Sequence, residues 1–247
     1  MGQIHKSPKL TTAHIHYLLP LDGIQQADLV PLLEGLLKEA GTWEAKQVVA
    51  ELSPLASYFP AFRQVGFSVF AKQRLFKFDP SEMPQPFLGQ RWRIWNSADI
   101  PAVRSLYQAL VPALIQPFEP LTRLEMLGLV YYDEAGDLQA YADLVYGPMG
   151  VWVLPFVYPQ TSVEGSSLLA QLVLDLPDLA GRPVYVAFRS YQPWLETPLE
   201  SLPGESSQEQ ALLVRHIAIR QRVTAPLTYK PLENGHTEPT FIAPNKE

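Results

Sequence analysis

The chain has no cysteine, which excludes disulfides, thiolate metal sites and a cysteine nucleophile, and suits a reducing compartment. It has no window of about 20 consecutive apolar residues, the length a bilayer-spanning helix needs, so no membrane partner is expected. The first residues, MGQIHKSPKLTT, lack the apolar run of a secretory signal. Ser7 stands one place too late for an N-myristoylation pattern. A cytoplasmic protein is expected. Long runs of one charge are missing too: 19 basic and 25 acidic residues give a net charge of -6, with no basic stripe to bind nucleic acid.

What the chain does have is apolar material, 47% of 247 residues, enough for one large domain or two small ones. Its order repeats. Setting Gln73 on Gln210, 137 positions later, also brings Pro20 onto Pro159 to within two residues. Between those anchors both stretches read as an apolar strand ending in Pro (HIHYLLP; VWVLPFVYP), then a Leu-rich helix (ADLVPLLEGLLKEA; SSLLAQLVLDLPDLA). A second strand follows (KQVVAEL; RPVYVAF), then an aromatic helix (PLASYFPAFRQV; YQPWLETPLESL) and a last strand (SVFAKQRLFKF; QEQALLVRHIAI). Leu29, Leu32, Leu33 and Leu36 fall at i, i+3, i+4, i+7, and Leu168, Leu169, Leu172 and Val173 nearly so; each helix therefore lays one stripe on a sheet. Tyr58, Phe59 and Phe62, and Trp194, Leu195 and Leu199, make similar stripes, and core packing is their simplest use.

Between the copies, DPSEMPQPFLGQ (79–90) is Pro-rich and aperiodic, a linker. The second copy then carries extra elements: RWRIWN, a helix starting after Ser97 or Asp99 with Pro101 in its first turn, and a short Pro-bounded piece, PFEPLTRLEML. Two strands, LGLVYYD and LQAYADLVYG, join through a turn at 133–137, and Gly147-Pro148-Met149-Gly150 turns into VWVLPFVYP. Residues 1–78 thus hold a partial unit, 91–223 a complete one, and 224–247 an aperiodic tail.

This element order resembles the GNAT acyltransferase fold, an α+β fold with a mixed sheet, in a duplicated form whose first copy is incomplete. RWRIWNSADIPAVRSLYQALVPA is similar to the family's opening strand and helix, SLLAQLVLDL with RPVYVAF to its third helix and fifth strand, and Gly66-Phe67 to its frequent Gly-Phe before the last strands. The resemblance implies an N-acetyltransferase that moves an acyl group from acetyl-CoA or another acyl-CoA, the cosubstrate, to an unidentified small-molecule or peptide amine. It also implies a slot where the fourth and fifth strands part. There Val157 and Tyr158 would offer backbone to the pantetheine, and Gly165, Ser166 and Ser167, at a helix start, would hold the pyrophosphate.

The same residues also admit a second reading. YPQTSVEGSSLLAQ has no Lys or Arg, and Glu164 stands where pyrophosphate would lie; the first copy's Gly23 is flanked by Asp22 and Asp28. Carboxylates at a helix N-terminus stabilise it by about 0.3–1 kcal/mol, so capping alone explains them. The family's strand-four carboxylate is missing from VWVLPFVYP, leaving Asp143 as the nearest substitute base, and Tyr191 sits near the expected acid. Arg189 beside it suits a salt bridge. His14 and His16 share a strand face without an identifiable third ligand, and no metal is expected. The alternative is therefore a catalytically inactive GNAT-fold binding or assembly module with a degenerate CoA site. An incomplete first unit would leave a sheet edge open, so it is expected to dock on the complete unit or on another chain, a homodimer being one solution.

Overall fold

The structure is a computed structural model that describes residues 1–7, 10–19, 26–85, 89–121, 127–161 and 163–217. The tail expected at 224–247, Pro20, Asp22, Gly23 and parts of the linker and of PFEPLTRLEML lie outside the described residues.

The N-terminal half contributes β1 (Gly2–Lys6), β2 (Thr12–Leu18), α1 (Gln26–Thr42), β3 (Gln47–Leu52), α2 (Phe59–Gln64) and β4 (Ser68–Phe78). The C-terminal half adds β5 (Arg93–Ile94), α3 (Ile100–Leu110), β6 (Gly128–Tyr132), β7 (Leu138–Gly147) and β8 (Gly150–Val157). It continues with α4 (Gly165–Leu174), β9 (Val184–Arg189), α5 (Glu196–Ser201), β10 (Glu205–Ser206) and β11 (Gln210–His216). All these strands form one mixed sheet in the order β1-β2-β3-β11-β4-β9-β8-β7-β6-β5, with β10 on β4.

The repeated order read from the sequence is present, and its last strands are exchanged. β11 pairs with β3 of the N-terminal half, β4 pairs with β9 of the C-terminal half, and the two pair with each other, all antiparallel. Each half therefore closes its neighbour's sheet edge, and the stretch β2-β3-β11-β4-β9-β8 reads the same from either end once the halves are interchanged. An unpaired edge in mid-sheet would recruit a foreign strand; the exchange removes it.

The apolar stripes decide which face each helix covers. Leu29 and Leu33 of α1 pack with Phe62 and Val65 around α2 against Val48, Ala50 and Leu213. Leu168, Leu169 and Leu172 of α4 pack with Leu199 of α5 on Ala142, Val153 and Val186. On the other face, Val103, Leu106 and Leu110 of α3 cover Val130, Leu154 and Ala187. Strand side chains alternate between the two faces, which is how one sheet serves three clusters.

Local signals are largely as read. Gly66 ends α2 at φ +87°, a left-handed position that favours glycine, with the Phe67 N–H returning to the Phe62 carbonyl at 3.0 Å. The helix start near 97–99 is different. Asn96 caps it, accepting from the Ala98 N–H at 2.8 Å, and Asp99 accepts from the Asn96 N–H at 2.8 Å. This capping box makes Asp99 the returning side chain rather than the cap. β1, unread in the polar GQIHK, adds to β2. Among the described residues no helix is long and apolar enough to cross a membrane.

Candidate functional site

β8 and β9 run parallel and pair only from Val151 with Val184 to Val153 with Val186, then part. The Val151 N–H donates to the Pro183 carbonyl, so odd-numbered residues of β8 aim their backbone at β9 and even-numbered ones at β7. Pro155 is the next odd residue after Val153. It has no N–H to give, which removes a rung where the strands diverge.

The slot left by this divergence is filled from within. Gln192, just beyond β9 and fully buried at 0% exposure, donates from Nε2 to the Pro155 carbonyl at 2.8 Å and accepts from the Val157 N–H at 3.1 Å. Trp194 Nε1 donates to the Val157 carbonyl at 3.0 Å. Every β9-facing backbone group of β8 past Val153 thus has a side-chain partner from 192–194. The Tyr158 N–H faces the other way, to the Gln139 carbonyl at 2.9 Å. Gln192 acts as the missing piece of strand that the parted ladder requires.

The start of α4 is occupied as well. Glu164 accepts from the Ser166 N–H at 3.0 Å, the Ser167 N–H at 2.7 Å and the Ser166 hydroxyl at 2.5 Å. The Ser166 hydroxyl first, then the Ser167 and Ser166 amides, lower its pKa to about 2 against the opposing effect of burial. Of the five residues expected to hold the cosubstrate, Val157, Ser166 and Ser167 have their amides engaged inside the chain, Tyr158 faces β7, and Gly165 opens the helix against Pro198.

Of the two expected catalytic side chains, Asp143 lines a cavity of about 120 Å³ on the opposite face, and Tyr191 is bonded to Glu119 of its lining. Its floor comes from both halves: His14 on β2, Val49 and Glu51 on β3, Phe70 on β4, Arg189 on β9, Trp152, Leu154 and Phe156 on β8, and Asp143 on β7. Tyr107 of α3 and Phe118 to Leu121 cover it. That covering segment is tied to the N-terminal half where Gln47 Nε2 donates to the Pro117 carbonyl at 2.5 Å and where Phe118 packs on Phe70, and it also meets His216 of β11.

Asp143 is 5% exposed and accepts from the Tyr141 hydroxyl at 2.5 Å. Tyr191 donates to Glu119 Oε2 at 2.7 Å, and Arg189 Nε donates to Glu119 Oε1 at 2.7 Å, so the salt bridge expected for Arg189 is present. Burial first, then the Glu119 charge, pushes the Tyr191 hydroxyl well above its ordinary pKa. Arg189 also donates to Gln73, whose amide donates to Glu51 Oε2 and Gln210 Oε1, both at 2.7 Å. Glu119 and Gln192 were not singled out in the sequence, and Gln73 only as a register anchor. None sits in a motif, and only Glu119, framed by Pro117 and Pro120, carries even a local signal. His14 lines the cavity while His16 stacks edge-on with His5, and among the described residues no three His, Asp or Glu side chains gather as metal ligands.

No family model matches the sequence, and no curated protein matches it. Solved structures do. A functionally unknown conserved protein from Staphylococcus epidermidis ATCC 12228 is similar over 87% of this chain and 90% of that one, with 11% identity and a TM-score of 0.60. The GCN5-related N-acetyltransferase from Kribbella flavida matches over 86% of each chain, with 15% identity and a TM-score of 0.58. One from Sphaerobacter thermophilus matches over 83% of this chain and 72% of that one, with 13% identity and a TM-score of 0.51. With the parted strands and the helix start beside them, these likenesses define the class: the chain has the GNAT acyltransferase fold, a mixed sheet covered by helices.

Proposed function

We propose that this chain is a GNAT-fold binding module whose acyl-CoA slot is closed by its own side chains, and that it does not transfer acyl groups. The observation that carries this reading is the pair Gln192 and Trp194 on the backbone of Pro155 and Val157. A pantetheine arm would have to displace two buried hydrogen bonds and one part-buried one to pair there, and a diphosphate would meet the Glu164 carboxylate on the amides it needs. Two charges of one sign competing for the same donors oppose binding. Among the described residues, the cavity shared by both halves offers the module a binding space.

A second reading, an N-acetyltransferase using acetyl-CoA or a related thioester, is favoured by the retained parting of β8 and β9 and by the activity in the names of the Kribbella flavida and Sphaerobacter thermophilus proteins. It needs 192–194 to withdraw, Asp143 to take the amine proton and Tyr191 to protonate the leaving thiolate. Release of free CoA thiol from acetyl-CoA, followed with a panel of amines, separates the two. The binding-module reading expects no release above the rate without protein, and sustained, amine-dependent turnover would contradict it.

A further inference from the structure

The N-terminal half contains a second parting. β2 and β3 run parallel and pair only from Thr12 with Gln47 to His14 with Val49. These register pairs answer one for one to those of β8 and β9, with β2 lying 139 positions before β8 and β3 lying 137 before β9. Past them, residues 15–18 are tied to β1 and residues 50–52 to β11, and neither stretch to the other. Two inner main-chain edges are thus left without rungs in mid-sheet. α1 stands to this parting as α4 does to the other, since Gln26 and Gly165, where the two helices begin, are also 139 positions apart. The plug that closes the C-terminal slot has no counterpart here. Leu55 holds the place of Gln192 and is 85% exposed, where Gln192 is fully buried. Ser57, in the place of Trp194, is exposed too. Among the described residues no side chain bonds to the main chain of 15–18 or 50–52.

Unpaired main chain beside exposed apolar side chains is what an added strand uses: the main chain gives it hydrogen bonds, and its alternate side chains find apolar contact. Tyr17 and Leu19 at the end of β2, and Leu55 in the loop after β3, supply the second feature. Charge selects among guests. Asp28 stands exposed in the first turn of α1, so a thioester carrying a diphosphate would bring like charge to the helix start it needs. An uncharged main chain meets no such opposition, and a basic side chain is attracted. We propose that the parting of β2 and β3 takes an extended apolar segment of another polypeptide as an added strand, with a basic residue that Asp28 attracts. At about 3.3 Å per residue, the stretch 15–18 seats about four residues of it. This inference is independent of the closed slot in the C-terminal half and holds whether or not that slot turns over acyl-CoA.

The test is calorimetric titration of the full chain with a capped peptide of alternating Val and Thr ending in Lys, beside the same peptide N-methylated at every second amide, with hydrogen exchange followed at the amides of 15–18 and 50–52. A strand seated between two edges uses main-chain groups on both sides, so the unmodified peptide is expected to bind about 10-fold or more tightly than the N-methylated one and to slow exchange at those amides. A variant carrying Leu55→Gln and Ser57→Trp, which places the side chains of the C-terminal plug at the exposed equivalent positions, is expected to weaken binding about 10-fold. The two peptides on the unsubstituted chain decide the matter even where the variant folds poorly. No binding, equal binding of the N-methylated peptide, or protection confined to other amides overturns the proposal. Acetyl-CoA protecting the amides of 15–18 and 50–52 where the peptide does not overturns it too, and leaves the closed C-terminal slot untouched.

Discussion

Gln73 and Gln210 are register partners on β4 and β11, and the Gln73 amide donates to the Gln210 carbonyl oxygen at 2.7 Å. They are also the two residues on which the repeated order of the sequence is set in register. Corresponding positions that meet each other lie on the axis relating the two halves, and β3, β11, β4 and β9 are arranged about that axis in mirror order. β4 and β11 thus hold equivalent places, each pairing with a strand of the other half.

Because each half's sheet is completed by the other, the chain is expected to unfold in one step. Scanning calorimetry should give a single heat-capacity peak whose van't Hoff and calorimetric enthalpies agree. Two separated peaks, one for each half, would contradict the exchange.

Arg189 is 4% exposed and holds Glu119 and Gln73 at this junction. Arg189→Ala leaves Glu119 facing a buried gap, and loss of one partner of such a pair costs about 3–5 kcal/mol. Arg189→Met combined with Glu119→Leu should recover part of that loss in urea unfolding, since the charge imbalance is removed while the Tyr191 hydroxyl and Gln73 each lose a partner. A double variant as unstable as Arg189→Ala would show that the pair is needed for more than charge balance.

Gln192→Ala strips the Pro155 carbonyl and the Val157 N–H of their partners. Unsatisfied buried groups cost about 1–3 kcal/mol, so a loss of about 2 kcal/mol is expected, with faster hydrogen exchange at the Val157 amide. Unchanged stability together with unchanged exchange would mean that the slot is not held shut by this side chain.

Acid stability follows from two carboxylates. Asp99 is held at about 2 by Arg93, which donates to it at 2.7 and 2.8 Å, with the Asn96 N–H and the Tyr132 hydroxyl assisting against burial. Glu164 is held at about 2 by its capping bonds. Both values are depressed below those of the unfolded chain. Their contribution is therefore complete above about pH 4.5 and is lost as pH falls toward 2. Urea midpoints should drop over that window, and less so in Asp99→Asn, which has already lost its share. For Glu164→Ala the loss at neutral pH is that of a helix cap, about 1 kcal/mol.

Much of the fold was legible because its signals are local. The stripes at Leu29 and Leu33 and at Leu168, Leu169 and Leu172 needed only spacing, and those side chains are fully buried or nearly so. Gly66 and the turns at Gly136 and at Gly147–Gly150 needed only backbone geometry. The exchange was not legible: β4 and β11 read as apolar strands whichever neighbour they take, and partner choice is set by the whole sheet. The helix start was ambiguous because Asn96, Ser97 and Asp99 are all capping residues, and the box formed between Asn96 and Asp99 resolved it. The parting of the strands followed from the resemblance, while its closure did not, since a lone Gln between Tyr191 and Pro193 announces nothing. Trp194 looked like core and also serves the slot through its indole N–H.

The closed slot is tested most directly by acetyl-CoA binding to the unsubstituted chain and to a variant carrying Gln192→Ala and Trp194→Phe. A ligand at 100 times its Kd stabilises a native state by about 2.7 kcal/mol, so millimolar acetyl-CoA reports even a weak site through Tm. The account predicts no shift for the unsubstituted chain, and any gain confined to the variant. A clear rise in Tm of the unsubstituted chain, abolished by filling the space beside Gly165, would contradict it.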